Sequence, residues 1–147
     1  MSLRPILQVD DEESDAFLLQ TVFAEAAIDN PVHIARDGQE AIDYLEGNGI
    51  YADRTAHPLP CIVLLDIKLP KKSGLEVLEW IRGRPELRHV IVILLSSSAL
   101  PSDVRRGYAL GVNSFVEKPV DYERAVQMTH AFKRWWLEFN QFTTECG

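Results

Sequence analysis

The sequence predicts one α/β domain in which a doubly wound parallel sheet of five strands carries helices on both faces. Two segments, Cys61–Leu65 and Val90–Leu95, are apolar without interruption, which is typical of strands buried on both faces. Short apolar runs alternate with helix-like segments along the whole chain, and this order favours βα units joined by right-handed crossovers. A length of 147 residues suits one such domain with a sizeable core.

Composition excludes several classes of function. Hydrophobic residues make up 46% of the chain and the net charge is −7, without any block of Lys or Arg. Nucleic-acid and anionic-membrane surfaces need a basic footprint, so neither partner is expected. No apolar run reaches the length that spans a bilayer. The two cysteines, Cys61 and Cys146, form no disulfide framework, which favours a cytoplasmic location.

The first half of the chain predicts two strands and two helices separated by polar turns. In chain order these are strand 6–9, a helix from Ser14 or Asp15 to the Asn30-Pro31 dipeptide, strand 32–35 and helix 39–45. Acidic residues at the start of the first helix suit the positive end of its dipole. Asp37 is expected to cap the second helix, and Gly47 to stop it.

The second half continues the same alternation after a polar loop at residues 50–60. The elements are strand 61–66, a helix that begins after Ser73, strand 90–95, a helix between Pro101 and Gly111, strand 114–116, and a long helix from Asp121 through Trp135-Trp136. The Ser73 hydroxyl can cap its helix, proline suits an early helical position, and glycine suits a helix end.

Polar residues lie at the carboxyl ends of all five predicted strands: Asp10-Asp11, Asp37, Asp66, Ser96 and Lys118. The carboxyl ends of parallel strands share one edge of the sheet, so these side chains are expected to converge. Clustered carboxylates repel one another, which raises their pKa values or demands a cation. Oxygen ligands suit Mg²⁺. The sequence therefore predicts a magnesium site at this edge.

A carboxylate beside Mg²⁺ and a lysine can attack a phosphoryl group and form an acyl phosphate. Asp66 is predicted to be this nucleophile, because it ends the central buried strand. Lys118 would neutralise charge on the phosphoryl oxygens, and Ser96 would donate a hydrogen bond to one of them.

The ordered set of motifs resembles the receiver domains of response regulators in two-component signalling, the CheY-like family. The matching pieces are Asp10-Asp11, Leu65-Asp66 followed by Leu69-Pro70 and Gly74, Ser96, and Lys118-Pro119. They cover nearly the whole chain and imply a flavodoxin-like, three-layer αβα fold with strand order 2-1-3-4-5. The run from Asp66 to Gly74, the three serines 96–98 and the aromatic last helix resemble the stand-alone receivers that serve phytochrome-type histidine kinases.

The resemblance implies a role for each residue around the nucleophile. Asp66 would accept phosphate from a phosphohistidine of a sensor histidine kinase. Asp11 and Asp66 would bind Mg²⁺ directly, Asp10 would position a water on the metal, and the backbone carbonyl of Lys68 would be a further ligand.

The resemblance also implies a switch at the neighbouring strands. Lys118 would pair with the phosphoryl oxygens, and the Lys118–Pro119 bond would be cis. Ser96 would move toward the phosphoryl group, and Phe115 would turn inward as Ser96 moves.

Other interpretations of these residues remain open. Asp10-Asp11 could cap a helix, and Lys68, Lys71 and Lys72 could form a solvated loop face with a secondary part in kinase docking. An adaptor that keeps the fold without phosphorylation is one alternative function. An aspartyl phosphohydrolase is another, but such enzymes carry an acid two positions after the nucleophile, where this chain has Lys68.

The last helix carries more apolar surface than one small domain is expected to cover. One helical stripe holds Ala125, Met128, Phe132, Trp136 and Phe139, and Trp135 and Phe142 extend it sideways. Exposed aromatic surface marks interfaces, so a homodimer through this helix is expected. In the alternative, the tail folds back over its own sheet.

The expected organisation is one receiver domain over residues 1–147, with 121–147 as an extended C-terminal helix and tail. No DNA-binding or catalytic domain fits after Lys118-Pro119. The expected function is a phosphorylation-dependent switch that performs only self-directed phosphotransfer and autodephosphorylation. Its output would be a partner interaction or onward relay of the phosphoryl group.

Overall fold

A computed structural model describes residues 3–143, and Cys146 lies outside this part of the chain. The strands and helices are β1 (Ile6–Val9), α1 (Glu13–Glu25), β2 (Val32–Ala35), α2 (Gly38–Glu46), β3 (Ile62–Asp66), α3 (Gly74–Arg82), β4 (Ile91–Ser96), α4 (Pro101–Ala109), β5 (Ser114–Glu117) and α5 (Tyr122–Phe132). Short 3₁₀ turns occupy Gly49–Ala52 and Pro85–Leu87, and a π-helical segment, Lys133–Phe139, continues α5. All strands are parallel, in the predicted order β2-β1-β3-β4-β5.

The central strand β3 separates two hydrophobic cores, which explains its uninterrupted apolar sequence. Val63 and Leu65 pack with α2 and α3 on one face. Ile62 and Leu64 pack with α1 and α5 on the other. Successive side chains of a strand point to opposite faces, so both sets must be apolar when helices cover both sides.

The register of the sheet brings the strand ends level with one another. Val9 of β1 lies opposite Leu65 of β3, so Asp10 follows at the level of Asp66. On the other side of β3, Asp66 itself lies opposite Leu95. Ser96 then pairs with Glu117, the residue before Lys118. The predicted site residues therefore share one edge.

The first helix ends earlier than the sequence indicates. It stops at Glu25, five residues before Asn30, and Ala27 adopts a left-handed conformation with φ of 56°. The amides of Ala27 and Ile28 then bond the carbonyls of Ala24 and Phe23. A helix end of this kind normally uses glycine, so an alanine at the position gives no signal in the sequence.

An aromatic stack and two hydrogen bonds join α1 to α5 and the segment that continues it. The rings of Phe23 and Phe132 stack with centroids 5.3 Å apart. The Tyr122 hydroxyl donates to Glu25 at 2.7 Å. The Lys133 ammonium donates to the Ala26 carbonyl at 2.8 Å, and so satisfies an acceptor at the end of α1.

The loop from β3 to α3 is closed by a buried glycine. The Gly74 amide donates to the Ile67 carbonyl at 2.8 Å. A Cβ atom at residue 74 would overlap the carbonyl oxygen of Asp66, so only glycine lets the start of α3 lie this close to the end of β3. The conformation of Asp66 therefore depends on Gly74.

The end of the last helix departs from the predicted stripe. Met128, Phe132 and Trp136 pack on the second core as expected, but Phe139 is 58% exposed. The amide of Asn140 bonds the carbonyl of Trp135, five residues earlier, which is the wider π-helical turn. This turn rotates later side chains away from the 3.6-residue stripe. Among residues 3–143, every helix is too short or too polar to cross a lipid bilayer.

Candidate functional site

Three carboxylates meet at the carboxyl edge of the sheet, as the sequence predicts. Asp10 and Asp11 follow β1, Asp66 ends β3, and one oxygen from each lies within 4.8 Å of the others. Asp10 and Asp66 are 6% and 7% exposed, whereas Asp11 is open to solvent. Two buried acids and one accessible acid therefore face a common point.

Lys118 places its ammonium among these acids from the end of β5. Its Nζ lies 2.9 Å from Asp10 Oδ2, 3.1 Å from Asp66 Oδ2 and 3.0 Å from Asp15 Oδ2. The side chain of Lys118 is only 11% exposed. The predicted meeting of Asp66 and Lys118 is confirmed, and Asp15 joins them.

Asp15 is a site residue that the sequence does not reveal as one. It lies in the first turn of α1, where acids are common because they suit the helix dipole. Only the rotation of α1 about its axis turns this carboxylate toward Lys118. The sequence feature that could have identified Asp15 is its position five residues after Asp10, next to the acidic loop.

Burial and charge oppose each other at the site. Burial raises the pKa of Asp66, and the negative charge of Asp10 adds to this effect, while Lys118 opposes it. Burial alone would lower the pKa of Lys118, but hydrogen bonds to Asp10 and Asp15 and the surrounding negative charge raise it above its usual value. At neutral pH Lys118 is therefore a full cation.

The donor set fits a hard divalent cation. Asp10, Asp11 and Asp66 supply carboxylate oxygens, and a single lysine cannot balance these acids together with Asp15. Mg²⁺ is normally bound by one or two carboxylates, water and phosphate oxygens. Lys68 lies two residues beyond Asp66 with an exposed side chain, so its backbone carbonyl is the group to consider as a ligand.

A second buried polar residue, Gln8, lies behind the lysine. It is 3% exposed, and its Oε1 atom has no hydrogen-bond partner in the part of the chain that the structure describes. A cavity of about 20 Å³ adjoins Gln8, Asp10, Asp15 and Lys118. This volume is enough for one water molecule, which could satisfy Gln8.

The predicted switch residues lie on the two strands beyond Asp66. Ser96 ends β4 and is buried, and its hydroxyl donates to the Ser98 carbonyl at 2.8 Å. The amide of Lys118 donates to the Ser96 carbonyl at 2.8 Å, which fixes β5 beside β4. Phe115 is partly buried against the core on the α2 and α3 face, beside Gly107 of α4.

The structure contradicts the expected cis peptide bond before Pro119. No peptide bond within residues 3–143 is cis, so Lys118 and Pro119 are joined by a trans bond. The trans form is favoured by roughly 0.5–1 kcal/mol before proline. In this conformation Lys118 reaches all of its carboxylate partners.

Comparison with known proteins covers almost the entire chain. A family model described as the response regulator receiver domain matches residues 6–130. The response regulator Rcp1 of Synechocystis sp. is 36% identical over 133 residues, which is 90% of this chain and 88% of that protein. A probable methanogenesis regulatory protein, FilR2 of Methanothrix harundinacea, is 36% identical over 139 residues, with 92% and 85% covered.

Solved structures of similar proteins agree in fold. The phosphorylated cyanobacterial phytochrome response regulator RcpA superposes with a TM-score of 0.90 at 32% identity, covering 97% of this chain and all of its own. The Mn²⁺-bound form of Rcp1 gives 0.86 at 34% identity, with 96% and 99% covered. The bacteriophytochrome response regulator AtBRR gives 0.77 at 42% identity, with 96% and 100% covered.

Proposed function

This chain belongs to the response regulator receiver domain family, and we propose that it is a phosphorylation-dependent signalling switch whose phosphoacceptor is Asp66. One observation supports this proposal above all. A buried carboxylate at the end of the central strand faces two further acids and a buried lysine. A phosphoryl group on Asp66 would therefore lie against Lys118.

The proposed step is transfer from a phosphohistidine. An oxygen of Asp66 attacks the phosphorus, the P–N bond breaks as the P–O bond forms, and the released imidazole takes a proton from solvent. Lys118 lies 3.1 Å from Asp66 and would hold a phosphoryl oxygen as charge develops on it.

Mg²⁺ would be held by Asp11 and Asp66, with Asp10 acting through water and the Lys68 carbonyl as a further ligand. The ion would supply positive charge that offsets the phosphoryl oxygens. The surplus of carboxylates at the site supports this part of the proposal, as does the Mn²⁺-bound form of Rcp1.

Readout of the switch would pass through Ser96 and Phe115. Ser96 would exchange its hydrogen bond to Ser98 for one to a phosphoryl oxygen. Phe115 would then turn inward, and packing alone would hold it there, because phenylalanine has no hydroxyl. The affected surface would include α4, β5 and α5, where a partner could distinguish the two states. Apart from this phosphotransfer and autodephosphorylation, the chain would have no enzymatic activity.

The test is phosphorylation by acetyl phosphate with Mg²⁺, followed by intact mass. We expect one phosphoryl adduct on the wild type and none on Asp66→Asn. Asp37→Asn is the matched control, because Asp37 follows the edge strand β2, where it caps α2 and pairs with the exposed Lys71. An adduct retained on Asp66→Asn would refute the assignment. A folded wild type without any adduct would favour the adaptor alternative.

The proposed phosphodonor is a sensor histidine kinase of the phytochrome type. Two similar structures, RcpA and AtBRR, are described as phytochrome and bacteriophytochrome response regulators. Residues 1–147 would act as a single receiver domain, with 121–147 as its extended C-terminal helix and tail. A cytoplasmic location belongs to this proposal, since histidine kinases take their phosphate from ATP.

A homodimer through the region of the last helix is also proposed. Trp135 and Phe139 are 62% and 58% exposed on neighbouring turns. Beside them lies an apolar groove of about 310 Å³, lined by residues that include Val116, Met128 and Trp135. The groove and exposed rings form one apolar surface, which a second copy would cover. Phe142 packs on the second core, so the tail covers only part of this face.

Sedimentation of matched variants tests the dimer. We expect a dimer for the wild type at high micromolar concentration and a weakening of roughly tenfold or more for Phe139→Ala, the loss typical of an interface aromatic. Phe17→Ala removes a ring from α1 that is 71% exposed, more than Phe139, and should leave the dimer intact. A wild type that stays monomeric, both with and without beryllofluoride, would exclude this assembly.

A further inference from the structure

The ammonium of Lys118 is saturated by three carboxylates from three different elements. A lysine has three N–H donors, and the three partners, Asp10, Asp15 and Asp66, lie within 3.1 Å of Nζ. Any new partner for Lys118, such as a phosphoryl oxygen, must therefore displace one of these acids.

The three acids differ in what else they can do. Asp10 and Asp66 belong to the cluster that can hold a cation together with Asp11, whereas Asp15 does not. The other oxygen of Asp10 accepts a hydrogen bond from the Glu12 amide at 2.9 Å. Asp15 is 45% exposed, and among the charged groups of residues 3–143 it pairs with Lys118 alone. It is thus the partner that stays free to hold the lysine when Asp10 and Asp66 are engaged.

We propose that Asp15 is a positioning residue that shares the Lys118 ammonium with Asp10 and Asp66, and so weakens the hold of the lysine on those two acids. This inference rests on the proposed function of Asp66. Asp15 would anchor Lys118 from the α1 side, beside the small cavity next to Gln8. In the phosphorylated state, it would remain the counter-charge that fixes the direction of the lysine.

Loss of Asp15 should weaken cation binding before any chemistry occurs. With Asp15→Asn, Lys118 would pair with Asp10 and Asp66 alone, and a divalent cation would compete with a stronger lysine pair at those two acids. The expected loss of Mg²⁺ affinity is roughly threefold to fivefold, the size of one partly exposed ion pair. The phosphorylation rate at saturating Mg²⁺ should also fall, because Lys118 loses its anchor.

The experiment uses two substitutions in the same turn of α1. Asp15→Asn and Glu13→Gln each remove one negative charge near the start of the helix, so their effects on the helix dipole match. Glu13 instead pairs with Arg36 at the surface and is 83% exposed. Asp15→Glu restores the charge, and Asp15→Ala provides a second way to remove it. Mg²⁺ titration by calorimetry, without any phosphodonor, is the first measurement, and the acetyl phosphate rate at saturating Mg²⁺ is the second.

Weaker Mg²⁺ binding by Asp15→Asn and Asp15→Ala, with Glu13→Gln unchanged and Asp15→Glu largely restored, would support the role. Equal affinities and equal rates for Asp15→Asn and Glu13→Gln would overturn it. A wild type that takes up no phosphate would instead reject the function proposed for Asp66. The calorimetric comparison would still decide the part played by Asp15.

Discussion

Replacing Lys118 with methionine should destabilise the protein by about 3–5 kcal/mol at neutral pH, the cost of leaving buried charges without their partner. Methionine keeps an unbranched apolar stem but removes the ammonium. Asp10 and Asp66, both almost fully buried, would then face each other uncompensated. Urea denaturation of the two proteins measures the difference.

The stability lost in Lys118→Met should depend on pH in a defined direction. The pKa of Lys118 is raised on folding, so its contribution is fully present below about pH 10.4, the unfolded value, and is lost as the pH rises through the folded pKa. At neutral pH the whole contribution is therefore in place. In acid Asp66, whose pKa is raised by burial, takes up a proton, and Lys118 loses one of the charges it stabilises. The gap between wild type and Lys118→Met should therefore shrink as the pH falls through the range in which Asp66 becomes protonated.

Two comparisons make this result specific. Mg²⁺ should stabilise Lys118→Met more than the wild type, because the cation no longer competes with an ammonium for Asp10 and Asp66. Lys71→Met removes a lysine that is 67% exposed and pairs with Asp37 at 3.6 Å, and should cost at most about 1 kcal/mol. Equal losses for the two variants would show that Lys118 does not balance buried charge.

Gly74→Ala should cost about 3 kcal/mol of stability and slow phosphorylation of Asp66 by roughly tenfold or more. The new methyl group would overlap the backbone carbonyl of Asp66 and crowd Ile67. Backbone atoms of a central strand cannot move aside at low cost. The end of β3 would shift, and the Asp66 carboxylate would move relative to Lys118. Urea denaturation and the acetyl phosphate rate report these two effects.

Gly83→Ala provides the matched control at the other end of the same helix. Gly83 has a φ of −78°, and the nearest atoms to an added methyl group are carbonyl oxygens at 3.5 and 3.6 Å. Alanine fits there, and a gain of about 0.4–1 kcal/mol is expected from the reduced freedom of the unfolded chain. Similar effects at the two glycines would mean that the contact between Gly74 and Asp66 does not hold the site.

Topology made most of the site predictable. Uninterrupted apolar strands imply a buried parallel sheet, and a parallel sheet brings its strand ends to one edge. The positions of Asp10, Asp66 and Lys118 follow from this argument without any knowledge of side-chain packing. Ser96 follows in the same way from its place at the end of β4.

The parts that could not be predicted depend on details of backbone geometry. The contact of Asp15 with Lys118 requires the rotation of α1, which its apolar spacing defines only within about one residue. The left-handed Ala27 and the π-helical turn near Trp135 break local preferences and have no residue signal. The trans bond at Pro119 could not be read from the motif, because both isomers occur before proline.

The contacts between α1 and α5 join distant parts of the chain, so they bear on how the domain folds during synthesis. The Lys133–Ala26 hydrogen bond joins residues 107 positions apart, and the Phe23–Phe132 stack lies beside it. Contacts of such high sequence separation form late and slow the folding of a domain. During synthesis, the stack of Phe23 on Phe132 can form only after α5 has emerged from the ribosome. Until then Phe23 lacks its aromatic partner, and apolar surface left uncovered in an incomplete chain favours aggregation.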